Sequence, residues 1–130
     1  MGDAKRRVLV VDGDPLRRLE IDRRLEVLGW ESYPAGNGSE ALRMLERGPR
    51  FEAMFIDARA TDVNVCELAR AAAVRAPHLL IRFMAQTGAR VPPLAPLLSM
   101  PVSVEALART LGTPLPAWQG GQIVRSRYPR

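Results

Sequence analysis

Short, unbroken runs of apolar and β-branched residues alternate along the chain with stretches whose apolar residues recur every three or four positions, and this alternation sets the expected elements. Val8, Leu9, Val10 and Val11 form one such run, the pattern of a strand buried on both faces, and Asp12-Gly13-Asp14-Pro15 turns the chain into a helix. Asp14 suits the N-cap of that helix, and Pro15 its first position, where the missing N–H costs nothing. Leu16, Leu19, Ile21, Leu25 and Leu28 follow at near-helical spacing, and Gly29 suits the left-handed position after the last turn.

The same order repeats without repetition of sequence. Residues 30–35 predict a strand, Gly36-Asn37-Gly38 a turn, Ser39 an N-cap, and residues 40–47 a short helix closed by Gly48 and Pro49. Residues 51–56 predict a strand that delivers Asp57 at its carboxyl end, and 65–75 an alanine-rich helix stopped by Pro77. Residues 79–84 predict a fourth strand, 97–99 a weak fifth, and Ser103 the cap of a last helix through Leu111, ended by Gly112 and Pro114. Strands alternating with helices imply a parallel α/β sheet covered on both faces, with right-handed crossovers and sites at the carboxyl ends of the strands. Asp12, Asp14 and Asp57 fall at those ends.

A length of 130 residues with 47% apolar content suits one core. The single cysteine, Cys66, and single histidine, His78, exclude an internal disulfide framework and a zinc cluster. The charged residues 1–7 lead into an apolar run too short for a secretory segment or a membrane span, so a cytoplasmic protein with no membrane contact is expected. The net charge of +5 is carried by arginine, because Lys5 is the only lysine. Arg17, Arg18, Arg23, Arg24 and Arg43 read as solvated helix faces, whereas Arg59 in a loop, Arg82 in a strand and the arginines of the final segment require partners. Residues 113–130 hold three prolines, the pair Gly120-Gly121 and no helical period, and read as a C-terminal extension.

Three segments in this order and spacing, Val8-Leu9-Val10-Val11-Asp12-Gly13-Asp14-Pro15-Leu16-Arg17, then Phe55-Ile56-Asp57, then Leu98-Ser99-Met100-Pro101-Val102, resemble the receiver domain of response regulators, the chemotaxis-regulator type in particular. The resemblance spans about residues 7–112, and implies a flavodoxin-like, doubly wound five-stranded sheet of order 2-1-3-4-5. It places Asp57 where the family's phospho-acceptor aspartate belongs and implies Mg²⁺ held by an acidic pair after the first strand together with the acceptor. Asp12 fills the first acidic position and Gly13 the second, so the metal set reduces to Asp12 and Asp57. Asp14 joins them only through a shifted loop; otherwise it caps the helix.

Other family positions depart from the pattern. The lysine that ends the fifth strand is replaced by Met100, ahead of Pro101, and the hydroxyl residue that ends the fourth strand by Met84, with Thr87 three residues further on. Two methionines make this corner apolar and soft. Arg59 follows Asp57 closely enough to pair with the carboxylates and fill the vacated metal site, or else faces solvent. Between Met84 and Met100 the chain is short and carries Pro92, Pro93 and Pro96, so the fourth helix is expected to be shortened or missing. Arg82 then either opens onto the uncovered sheet face or pairs with an acid on a neighbouring helix.

These departures lead to a degenerate, or pseudo-receiver, with a body at 1–112 and an arginine-containing tail at 113–130. The expected role is a non-enzymatic, phosphorylation-independent signalling adaptor that binds a protein target through the fourth-strand to fifth-helix face and the tail. The alternative is an effector of cyclic di-GMP, with Arg82, Arg125, Arg127, Tyr128 and Arg130 as candidate ligands for its phosphates and guanines. A conventional receiver phosphorylated on Asp57, with Asp14 and Thr87 as stand-ins, ranks below both. No recognition-helix module or basic reading helix is present, so DNA is not an expected partner.

Overall fold

The computed structural model describes residues 6–59, 62–86, 97–119 and 122–124, with backbone only from residue 117 onward. Seven strands and four helices occur among them: β1 (Arg7–Val11), α1 (Pro15–Val27), β2 (Glu31–Ala35), α2 (Gly38–Arg47), β3 (Ala53–Asp57), α3 (Val65–Arg75), β4 (Leu80–Gln86), β5 (Leu97–Met100), α4 (Val104–Leu111), β6 (Ala117–Gln119) and β7 (Gln122–Val124). The first five strands form one parallel sheet of order β2-β1-β3-β4-β5. This is the doubly wound, flavodoxin-like topology. Thr87 and the stretch expected to lose a helix lie within 87–96, outside the described residues.

The apolar runs of the central strands divide by alternation between two cores. Val8, Val10, Phe55, Met84 and Leu98 point to one face and pack with Ile21 and Leu25 of α1 and Leu107 of α4. Leu9, Val11, Met54, Ile56 and Phe83 point to the other and pack with Ala41 of α2 and with Leu68 and Ala72 of α3. Burial on both faces is why β1 and β3 show no polar alternation. Each fully buried side chain of this size contributes roughly 1.5–3 kcal/mol relative to exposure.

Local chemistry sets most element ends. The Asp14 carboxylate accepts the N–H of Leu16 at 2.9 Å and of Arg17 at 3.4 Å, capping α1 as its position before Pro15 predicts. Gly29 closes that helix at φ 84° and Gly112 closes α4 at φ 64°, conformations that favour glycine. Asn64 and Ser103 cap α3 and α4.

Two expectations are corrected. The cap of α2 is Asn37, which accepts the N–H of Glu40 at 2.8 Å, so the helix starts ahead of Ser39. Leu16 and Leu19 are not core residues: they are 66% and 44% exposed, and α1 is buried through Ile21, Leu25 and Leu28. Within the segment read as an extension, residues 117–119 and 122–124 form a separate antiparallel pair, β6 with β7.

The extension begins from a fixed point. Buried Trp30, just ahead of β2, donates its indole N–H to Thr113 Oγ1 at 2.8 Å, and the Arg6 guanidinium carbon lies 5.5 Å from the centroid of the same ring.

Candidate functional site

β1 and β3 are neighbours in register, with Val10 opposite Phe55 and Val11 opposite Ile56, so their carboxyl ends bring Asp12 and Asp57 to one corner of the sheet. Alternation turns both carboxylates to the α1 face, and both residues are buried. Two carboxylates out of water require a counter-charge.

Arg17 supplies it. Pro15 starts α1 immediately beyond the corner, and the third residue of the helix swings back over the strand ends. Its Nε donates to Asp12 Oδ2 at 2.7 Å and its Nη2 to Asp12 Oδ1 at 2.9 Å, a two-pronged fork. The same Nη2 donates to Asp57 Oδ2 at 3.2 Å, and Nη1 lies 3.4 Å from Asp14 Oδ2. Only 25% of the Arg17 side chain remains exposed. Its hydrogen bonds to Asp12, followed by the nearby carboxylate charges, raise the guanidinium pKa further above its ordinary value.

The remaining acceptors are also in use. Asp12 Oδ1 accepts the backbone N–H of Asp14 at 2.9 Å, and the Asp12 carbonyl accepts from Arg18 Nη1 at 2.9 Å. Asp57 Oδ1 accepts the backbone N–H of Arg59 at 3.0 Å and its Nε at 3.4 Å. No described buried side-chain nitrogen or oxygen lacks a hydrogen-bond partner. The corner opens into a cleft of about 390 Å³ bordered by Gly13, Asp14, Arg17, Asn37, Asp57 and Arg59.

A second carboxylate organises the rim. Asp62 accepts the N–H groups of Gly38 at 2.9 Å and Ser39 at 3.0 Å, and the Ser39 hydroxyl at 3.0 Å, joining the loop after β3 to the start of α2. These bonds, the one from Gly38 foremost, hold the Asp62 carboxyl below its ordinary pKa. Gly38 permits the approach, since a Cβ there would collide with Val63 Cγ2.

The positions singled out from sequence fare unequally. Asp12 and Asp57 meet, and Asp14 caps α1. Gly13 leaves room for a side chain, because a Cβ there meets only the Gly36 carbonyl at 3.5 Å, so packing does not explain the missing acid. Met84 sits opposite Asp57 in the sheet and is buried in the α1-side core, and Met100 is partly buried against the same core. The Met100–Pro101 peptide is cis. Arg82 follows neither expected course among the described residues. The alternation of Leu80 and Met84 puts it on the α1–α4 side, and its Nη1 bonds the Ile81 carbonyl at 2.9 Å. Arg125, Arg127, Tyr128 and Arg130 lie outside the described residues.

Arg17 and Arg18 are the residues that the sequence reading misplaced. The sequence pattern predicts a solvated face for both, and both instead turn inward on Asp12. Arg59 meets Asp57 but is 53% exposed and does not reach Asp12 in any described bond, so Arg17, not Arg59, fills the space between the two carboxylates. The Mg²⁺ implied by the resemblance does not fit this arrangement. Mg²⁺ requires free, convergent oxygens. Here both Asp12 oxygens and both Asp57 oxygens already accept N–H donors, and no described group of three acidic, histidine or cysteine side chains is disposed to hold a metal ion.

The sheet order and the acid corner define a receiver-type fold. Among solved structures, the chain is similar to the chemotaxis response regulator CheY4 of Vibrio cholerae, with TM-score 0.72 and 22% identity over 84% of this chain and 98% of that one. It is similar also to a CheY-like response regulator receiver domain protein from Methanospirillum hungatei JF-1, with TM-score 0.73 and 21% identity over 84% and 92% of the two chains. A third similar structure is described as adenylate cyclase from Rhodopirellula baltica, with TM-score 0.71 and 17% identity over 84% and 86%. No family model matches the chain, and no curated protein matches its sequence. At these identities the likeness establishes the fold. No helix among the described residues is long and apolar enough to cross a membrane.

Proposed function

We propose that this chain is a degenerate receiver, body 1–112 and tail 113–130, that works in the cytoplasm as a phosphorylation-independent signalling adaptor. It recognises a protein target through the β4–β5–α4 face and the tail, and transfers no phosphoryl group itself. The observation that carries this reading is the Arg17 fork, which occupies the carboxylates a receiver would need for metal and phosphate. The missing lysine supports it, since Met100 offers no charge to a phosphoryl group and Met84 no hydroxyl.

Incubation with acetyl phosphate and Mg²⁺, followed by intact-mass measurement, tests the reading. The expected result is no phosphoryl adduct on Asp57 under conditions that label an active receiver. A stable adduct on Asp57 that changes affinity for a partner sinks it.

The second reading, a cyclic di-GMP effector, rests on Arg125, Arg127, Tyr128 and Arg130 lying directly beyond the β6–β7 pair, where forked donors and an aromatic ring suit a guanine dinucleotide. Arg82 supports it less, because its guanidinium bonds the chain of its own strand. Calorimetric titration with cyclic di-GMP decides: binding abolished by replacing Arg125 and Arg127 favours this reading, and absence of heat removes it.

A further inference from the structure

We propose that Arg17 is the resident cation of the acid corner: a guanidinium, tethered to α1, that stands permanently where a receiver binds a dissociable divalent ion. The inference deepens the adaptor reading, on which it rests. It turns a missing metal site into a filled one.

Three observations converge on it. First, the guanidinium lies between the two buried carboxylates, with Asp12 at 2.7 and 2.9 Å and Asp57 at 3.2 Å. Second, the charge closes without an ion, because Arg59 lies on the other oxygen of Asp57 and so two guanidinium groups face two buried carboxylates. Third, the packing of α1 gives Arg17 little choice of place. Ile21 and Leu25 are buried in the α1-side core, and Arg17 lies one turn before Ile21 on nearly the same face.

A tethered cation differs from a bound one in its dependence on solution. Its local concentration is fixed by the chain, so a dissolved divalent ion must displace a charge that never diffuses away. Displacement would also strip two good hydrogen bonds from Asp12, and Mg²⁺ gives up its own water reluctantly. The corner therefore holds one state whatever the Mg²⁺ concentration. It also ties the start of α1 to the ends of β1 and β3, a joint that in a metal-loaded site would come and go with the ion.

The test is Mn²⁺ binding to the full chain, followed by paramagnetic broadening of backbone amide signals, together with thermal melts in increasing Mg²⁺. The wild type is expected to show no saturable broadening at Asp12 or Asp57 and no Mg²⁺-dependent gain in melting temperature. R17A uncovers two carboxylates, enough for Mg²⁺ or Mn²⁺ when water completes the shell. It is expected to bind Mn²⁺ on the order of tenfold tighter than the wild type, or better, and to melt higher as Mg²⁺ is added. R17K keeps a charge without the fork and should fall between them. D57N added to R17A should remove the new binding.

If R17A folds only with metal present, that dependence itself supports the proposal; if it does not fold at all, R17Q is read in its place. Saturable binding at the corner of the wild type overturns the inference, as does an R17A or R17Q protein no more responsive to Mn²⁺ than the wild type. Failure of the adaptor reading is distinguishable, since it appears as a phosphoryl adduct on Asp57.

Discussion

Replacing Arg17 by methionine keeps the length and apolar stem of the side chain and removes the charge, leaving the buried Asp12 carboxylate with the Asp14 N–H as its one described hydrogen bond. Removing one partner of a buried pair costs about 3–5 kcal/mol when both charges are sealed from water. Arg17 keeps a quarter of its side chain exposed, so solvent screening lowers the expected loss to about 2–3 kcal/mol. Asp12→Asn alone should cost a similar amount, because it sets an uncharged amide against the guanidinium. In the double variant no charge is stranded at Asp12, and the asparagine oxygen can still accept the Asp14 N–H. Its loss should therefore resemble that of either single variant, giving a coupling of about 2 kcal/mol. Equilibrium urea unfolding followed by far-ultraviolet circular dichroism measures all four proteins, provided the slopes agree. Additivity within about 0.5 kcal/mol, or an Arg17→Met protein as stable as the wild type, would refute the claim that this pair carries the corner.

Two further outcomes concern the rim of the cleft. Gly38→Ala should destabilise by about 1–3 kcal/mol through overpacking against Val63, and Val63→Ala should relieve much of that loss when combined with it; a helix-stabilising Gly38→Ala instead contradicts the contact. Asp62 has a depressed folded pKa, so its contribution is fully present above the ordinary carboxylate value of about 3.9 and disappears as pH falls through the folded value. The difference in urea midpoint between wild type and Asp62→Asn should accordingly shrink below about pH 4, and a difference that grows with acid would show that the Gly38 and Ser39 bonds do not favour the ionised form.

The sheet was legible because β1 and β3 are buried on both faces, and their unbroken apolar runs carry no competing helical period. The start of α1 was legible because Asp14 and Pro15 act within a few residues of each other. The start of α2 was less so: Asn37, Gly38 and Ser39 can all begin a helix, and the choice is settled by Asp62, distant in sequence, which takes Ser39 for itself. The hairpin had a local signal, two glycines between short runs containing Trp118 and Ile123, but the nearby prolines and the lack of a helical period point only to an extension.

Arg17 was missed for a geometric reason. Counting Leu16 and Leu19 as core turned the perceived buried face of α1 away from its true direction. Ile21 and Leu25 define that direction, and Arg17 lies about 40° from Ile21 around the helix, whereas Leu19 lies about 160° away. A charged residue in phase with a buried stripe, one turn from an aspartate pair, was the available signal. Arg59 is closer to Asp57 in sequence than Arg17 is, but sequence distance is a poor guide across a parallel sheet. Arg82 gave no such signal, because nothing in the sequence indicates that a strand arginine will fold back on its own backbone.

The bond between Trp30 and Thr113 gives the molecule two poles. Trp30 precedes β2 and Arg6 precedes β1, so the extension departs from the end where strands begin, while Asp12 and Asp57 stand where they finish. Five residues of strand, roughly 16 Å, separate the two ends. A molecule gripping the chain at its point of departure leaves the acid cleft unobstructed. α1 runs between the poles, its first turn clamped at the cleft and its last leading through Gly29 to the tryptophan. That makes α1 a strut joining two addresses on one small body.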